Sequence, residues 1–274
     1  MRGFRVVFMC LAALSAPVPA IAASSAWHET EGGRVRLVVF PERTDGSIPA
    51  LLDIRLEPGW RTYWRDPGES GVPPTVSLPE SSGLKLESLR FPVPKHFDDG
   101  FSRYTGYDRS VGLPLTLKQK VPGPETTQVS ASVFLGICQD ICIPVQAELS
   151  VELQAGAAVD PAEAADLKAA EAALPAPPSP DFAVIDARWN DDGKSLAVAF
   201  TAPGTTPQVF VSGPDGFQFG TAMPTRSGDS YHVEVPLLRK PKNASLSGAA
   251  ILFTATSGGR AMETTLAIAP HAAP

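Results

Sequence analysis

Cys138-Gln139-Asp140-Ile141-Cys142 is the cluster of side chains in this sequence with evident reactivity. Two thiols four positions apart can exchange with other disulfides, bond to each other, or hold a soft metal ion. Along an extended strand, residues four apart lie roughly 13 Å from one another, whereas a disulfide needs Cα atoms about 4.4–6.8 Å apart. If the two cysteines bond, the chain must therefore reverse between them. A bond closing so small a loop stabilises a fold by only about 2 kcal/mol on the chain-entropy estimate. Structural bonds in immunoglobulin-type sandwiches join strands far apart in sequence, whereas a bond at a hairpin tip keeps its sulfurs near the surface, open to exchange. Three readings stay open at this level: a redox pair, an inert hairpin clip, and a two-thiolate metal site. The metal reading lacks ligands, because Met223 and Met262 are remote in sequence, no His adjoins the pair, and His96 reads as a loop residue. No metal and no cofactor is expected.

The elements that must position the pair read as strands. Val129 to Ile137 and Val145 to Leu153 are two runs of strand composition separated by a few residues, the pattern of an antiparallel hairpin. Its reversal falls where the cysteine spacing demands one. Period-two alternation also marks Val35 to Val39, Leu52 to Leu56, Leu84 to Leu89 and Leu113 to Leu117, each bounded by turn residues. Ala157 to Leu174 reads as a short helix with Asp160 as N-cap and Pro161 in its first turn, and Pro175 to Pro180 as a stiff extended spacer. Strand patterns resume at Phe182–Trp189, Ser195–Thr201, Gln208–Ser212, Tyr231–Leu238, Ala249–Ala255 and Met262–Ile268. The expected fold is all-β: two immunoglobulin-like sandwiches, residues 23–155 and 182–274, joined by an Ala/Pro-rich linker at 156–181. The second carries no cysteine, and its His232 simply alternates with Val233 and Val235.

Composition agrees with short strands and many turns. The 274 residues include 28 Pro and 23 Gly, and 43% are hydrophobic. A net charge of −6 excludes a nucleic-acid partner, and three Cys with four His make a multi-ligand zinc framework hard to build. Residues 1–22 read as a secretory signal: Arg2 and Arg5 open it, Val6 to Leu14 is its apolar run, and Ala20-Ile21-Ala22 supplies the cleavage pattern. That run is shorter than the roughly 20 residues a membrane-spanning helix needs, and no later stretch qualifies. The mature chain is thus expected to be exported, periplasmic and not embedded in a membrane. Cys10 leaves with the signal, so Cys138 and Cys142 remain where disulfides persist.

Two longer stretches resemble a known family. Trp60-Arg61-Thr62-Tyr63-Trp64-Arg65-Asp66-Pro67-Gly68-Glu69-Ser70-Gly71-Val72-Pro73-Pro74 and Phe134-Leu135-Gly136-Ile137-Cys138-Gln139-Asp140-Ile141-Cys142-Ile143-Pro144 are similar to the amino-terminal periplasmic domain of the thiol:disulfide interchange protein DsbD. Their form suggests the branch of the suppressor-of-copper-sensitivity protein ScsB. The resemblance spans roughly residues 27–155. It implies that Cys138 and Cys142 are a redox pair in an immunoglobulin-like domain, exchanging electrons with a DsbD/ScsB-type membrane donor or with thioredoxin-like periplasmic proteins. It also implies an aromatic cap loop within His96 to Tyr107, with Phe101 as the cap candidate and Tyr104 and Tyr107 beside it. The cysteine spacing is shorter than in the enterobacterial DsbD domain, so the local turn must differ. The 274 residues hold neither membrane helices nor a thioredoxin-like domain, so electrons are expected from a separate protein, or the pair serves another thiol-linked task. By the same analogy Cys142 attacks and Cys138 resolves. Asp140 between them opposes thiolate formation by charge repulsion but can accept a proton during exchange. The Trp60–Pro74 segment reads mainly as packing. The rival class is a non-enzymatic exported binding module with a structural disulfide, and copper handling is the third.

Overall fold

The computed structural model describes residues 23–68, 71–98, 100, 103–120, 126–154 and 159–268. The signal segment 1–22 lies outside the described residues, as does the cap candidate Phe101.

Alternating apolar residues give the first unit two antiparallel sheets that face each other. One runs, in spatial order, Ala23–Ser24, Gly33–Val39, Ser47–Leu56, Val111–Gln119 and Leu84–Leu89, with His28–Thr30 beside Gly33–Val39. The other, which carries the cysteines, runs Cys142–Gln154, Thr126–Cys138, Arg61–Gly68, Arg103–Tyr107 and Lys95–Asp98, with Thr75–Ser77 beside Thr126–Cys138. Val129, Ala131, Val133, Leu135 and Ile137 point inward from one long strand, and Val145, Ala147, Leu149 and Val151 from its partner. They meet Val35, Leu37, Ile48, Leu52, Ile54, Leu113 and Leu117 from the opposite sheet in one core. This is an immunoglobulin-like sandwich. The hairpin is longer than its apolar runs suggest. Pairing continues without a break from Thr126↔Gln154 to Cys138↔Cys142.

The second unit repeats the architecture with fewer strands. Val184–Trp189, Ser195–Phe200, Ser230–Arg239 and Gln218–Phe219 form one sheet with Thr225–Ser227, and Gln208–Ser212, Leu252–Ser257 and Arg260–Thr265 form the other. Gln218–Phe219 and Thr225–Ser227 are too short to show as periodic runs in the sequence.

The connection differs from a free spacer. The helix spans Pro161–Ala172, and Asp160 caps it by accepting from the Ala162 N–H at 2.8 Å. It lies on the first sandwich, where Leu167 and Ala170 bury against Val38, Phe40 and Leu51. Arg36 binds both Asp53 (3.3 Å) and Glu163 (3.0 Å), and Arg55 binds Asp53 and Asp166 at 2.7 Å each, so buried Asp53 ties the sheet to the helix through two guanidinium groups. The Pro-rich stretch is then drawn onto the second sandwich: Ala176 donates to Ala261 O (3.0 Å) and accepts from Glu263 N–H (2.9 Å). Proline stiffness shapes this segment, but strand pairing at Ala176 fixes its course.

The two sandwiches also touch directly. Phe210 of the second unit is 2% exposed and belongs to the core of the first, edge-on to Trp64. Arg65 pairs with Glu263 across the contact at 3.1 Å.

Candidate functional site

Cys138 ends one strand of the long hairpin and Cys142 opens the other, and the two are bonded with Cα atoms 4.1 Å apart. Three residues make the reversal, closed by Gln139 N–H donating to Ile141 O at 3.1 Å. The pair is asymmetric. Cys138 is 2% exposed, whereas Cys142 is exposed next to Ile141, which is 67% exposed. Asp140 is exposed in the reversal itself.

Alternation explains what buries Cys138. Ile137 and Leu135 face the core, so Cys138 and Gly136 face the outside of the sheet. On the neighbouring strand Arg61 pairs with Cys138 and Thr62 with Ile137, which places Arg61 and Tyr63 on that outer face and Trp64 in the core. Tyr63 lies over Gly136, where an added Cβ would come within 3.0 Å of its ring. The Tyr63 hydroxyl stands 3.1 Å from the Sγ of both cysteines. With the sulfurs bonded to each other neither holds a hydrogen, so the phenol donates. Thr62 Oγ1, buried, donates to Gly136 O at 2.8 Å and fixes the two strands edge to edge.

A second layer covers the first. Tyr104 packs edge-on against Tyr63 with ring centres 5.8 Å apart, and Phe97 stacks on Tyr104 at 5.0 Å. Cys138, Tyr63 and Tyr104 form a small buried cluster of their own, with Phe97 against it. Arg61 threads between: one nitrogen donates to the Tyr104 hydroxyl and the other to Gln139 O at 2.8 Å, and its guanidinium sits 5.0 Å from the Tyr104 ring centre. The cation is thus tied to the reversal, on the strand paired with Cys138. A fixed positive charge and an aimed hydroxyl are what lowers the free energy of a thiolate.

The stretch read as a loop is a hairpin. Lys95–Asp98 and Arg103–Tyr107 are paired strands, with Phe97 opposite Tyr104. Their alternation sends Phe97 and Tyr104 to the sulfur side. Tyr107 goes to the main core, where its hydroxyl donates to Pro92 O at 2.8 Å and burial raises its pKa well above that of an ordinary tyrosine. Of the sequence candidates, Tyr104 is therefore brought to the cysteines and Tyr107 is not. Arg61 and Tyr63 were hidden inside a segment read as packing. The signal that marks them is Tyr63-Trp64 itself: two large aromatics in succession on a strand must cover opposite faces.

His96, on the reverse side of the hairpin, faces the second unit. Its Nε2 is 2.9 Å from Val209 O, its Nδ1 is 3.1 Å from Thr105 Oγ1, and its ring stacks on Phe210 at 4.3 Å. Burial lowers its pKa, with the bond to Val209 opposing. It does not approach the sulfurs as a ligand. Among the described residues no group of three or more His, Cys, Asp or Glu side chains converges, and no helix is long and apolar enough to cross a membrane.

Comparison with known proteins accords with this geometry. The family model "Thiol:disulfide interchange protein DsbD, N-terminal" matches residues 35–154, and a domain of unknown function (DUF8393) matches residues 173–271. No curated protein matches the chain. The crystal structure of the N-terminal periplasmic domain of ScsB from Proteus mirabilis has the same fold. It aligns with a TM-score of 0.69 at 23% identity, covering 91% of this chain and 99% of that one. A marsupial T cell receptor aligns with a TM-score of 0.19 at 10% identity, over 87% of this chain and 98% of that one. Residues 35–154, which hold the bonded cysteines with Arg61, Tyr63 and Tyr104, are thus the part of the chain similar to the amino-terminal domain of DsbD-type thiol:disulfide interchange proteins.

Proposed function

We propose that this is an exported, periplasmic thiol–disulfide interchange protein. It passes electron pairs between a DsbD/ScsB-type membrane donor or a thioredoxin-like protein and other periplasmic proteins. The observation that carries the reading is the asymmetry of the pair. One sulfur is open at a hairpin tip, while the other lies under Tyr63 and Tyr104 beside a fixed cation. A clip is not needed there, since thirteen paired positions already hold the hairpin and the bond adds only about 2 kcal/mol.

The exchange follows from that asymmetry. A donor thiolate attacks Cys142 Sγ, the exposed sulfur, and the Cys138–Cys142 bond breaks as the mixed disulfide forms. The electron pair leaves on Cys138 Sγ, where the Tyr63 hydroxyl donates and Arg61 supplies positive charge. The donor's second thiolate then attacks its own sulfur in the mixed disulfide and releases Cys142. In the forward direction, reduced Cys142 attacks the target's disulfide. Cys138 then resolves the adduct, so two electrons and two protons leave the pair. Asp140, exposed between the cysteines, is the proton acceptor in the reversal.

The test uses single-cysteine variants with an oxidised thioredoxin-fold protein. Cys138→Ala is expected to accumulate a mixed disulfide through Cys142, and Cys142→Ala to accumulate none. The opposite pattern reverses the roles. A reduction potential below about −300 mV, with no exchange by the unaltered chain, identifies an inert clip and overturns the function.

A further inference from the structure

We propose that Phe210, on the second sandwich, is a positioning residue for the redox site. It backs the two strands that carry Tyr63 and Phe97, one from each layer of the aromatic cover over Cys138, so the second unit sets how far that sulfur is shielded. This deepens the interchange reading and rests on it only for the choice of the sulfurs as the centre.

Two contacts from one ring carry the inference. Along Arg61–Gly68, Tyr63 faces Cys138 and the next residue, Trp64, faces the other way, onto Phe210 at 5.9 Å. Along Lys95–Asp98, Phe97 faces the Tyr104 layer and the preceding residue, His96, faces the other way, onto Phe210 at 4.3 Å. The backbone holds the same strand in register: Val209 O is 2.9 Å from His96 Nε2. Phe210 is thus one residue deep behind each half of the aromatic cover, and it is fully buried there rather than in its own sandwich's core.

Asp98 and Arg103 border two clefts between the hairpin and the second unit. One of ≈ 430 Å³ is lined also by Tyr104, Phe219 and Leu238, and the other of ≈ 510 Å³ by His96, Phe97, Pro207 and Met223. Packing holds the hairpin at its His96 end, and that end decides where Phe97 and Tyr104 stand. The reason for Val209-Phe210-Val211 in sequence follows. Three successive apolar residues break strand alternation because both faces of this strand are covered, one by each sandwich.

The experiment measures iodoacetamide alkylation of each cysteine in the reduced full-length chain, resolved by peptide mass spectrometry. Phe210→Ala is expected to raise the rate at Cys138 about tenfold, the scale of one or two lost aromatic contacts, while Cys142 stays within about threefold. Phe210→Leu should return most of the protection. Tyr104→Ala should expose Cys138 similarly, and the double variant should react no faster than Tyr104→Ala alone, because both remove one cover. Glu263→Gln, which loosens the contact between the units at Arg65, should leave Cys138 shielded. Equal acceleration at both sulfurs, multiplying effects in the double variant, or an unchanged Cys138 in folded Phe210→Ala would each overturn the inference. If Phe210→Ala does not fold, His96→Ala is read by the same criteria. These rates involve no protein partner, so failure of the unaltered chain to exchange with thioredoxin-fold proteins would remove the proposed function and leave this result standing.

Discussion

The two sandwiches place their aromatic residues differently. In the second unit Phe200 packs on Tyr231 and Phe253, and Trp189 stacks on Phe219, all inside one core. In the first unit Trp64 and Tyr107 fill the core, while Tyr63, Tyr104 and Phe97 stand on the outer face of a sheet at one end. A sandwich needs only its inner faces filled to be stable. Aromatics stacked two layers deep on an outer face mark a place where something other than the core must be kept from water, and here that is Cys138.

The largest test of this contrast removes what the outer layer protects. Cys142→Ser should abolish exchange with a thioredoxin-fold partner, at least about a thousandfold, because the oxygen cannot form the mixed disulfide. By the chain-entropy estimate for so small a loop, it should cost only about 2 kcal/mol of stability in a denaturant titration. A large loss of stability would mean the outer face is a structural seam after all. Next, Tyr63→Phe keeps the ring and removes the hydroxyl. A hydrogen bond to a charged group contributes about 1.5–3 kcal/mol, so single-turnover reduction should slow about ten- to a hundredfold with the melting temperature little changed. An unchanged rate would reduce Tyr63 to cover alone.

A third test concerns the seam between the sandwiches. Asp66 is buried, with Oδ1 accepting from Gly68 N–H at 3.2 Å, a further bond from the Phe219 backbone, and Oδ2 without a hydrogen-bond partner among the described residues. Burial lifts its pKa to about 6 from an ordinary value near 4, with the two backbone bonds opposing. The folded chain therefore binds this proton more tightly than the unfolded one does. The carboxylate destabilises the fold at pH 7, and the penalty fades as pH falls from about 6 toward 4. Asp66→Asn should raise stability at pH 7 by roughly 1–3 kcal/mol and flatten the profile between pH 4 and 7 in thermal melts. A steeper profile would contradict the assignment. The smallest effect is expected at Asp140, which solvent surrounds. Asp140→Asn should change the exchange rate no more than about threefold, through proton transfer and local charge together. A larger change would make it a central residue.

Much of the architecture was legible in the sequence. Alternation located most strands, the spacing of Cys138 and Cys142 required the reversal that is found between them, and Asp160-Pro161 marked the helix start. What escaped depends on register between strands distant in sequence. Arg61 and Tyr63 matter because Arg61 pairs with Cys138 and the Tyr63 hydroxyl reaches a sulfur 75 residues away, a register that no local pattern reports. Tyr104 and Tyr107 look alike in the sequence, yet three positions along a strand put them on opposite faces, one over the sulfurs and one in the core. Phe210 was read as an ordinary strand residue because its role belongs to the other sandwich. The Pro-rich stretch was read from stiffness alone, while its place is decided by the strand it joins at Ala176.

The neighbouring pair Tyr63-Trp64 has a consequence for how this segment tolerates change. Side chains alternate strictly, so inserting or deleting one residue between Arg61 and Tyr63 would rotate the sequence by half a period. The indole would then be thrust over the sulfurs and the phenol driven among the aliphatic side chains, its hydroxyl stripped of water. Substitutions in this strand can be absorbed one at a time. A change in its length cannot, because it would exchange the protein's chemistry for its packing in a single step.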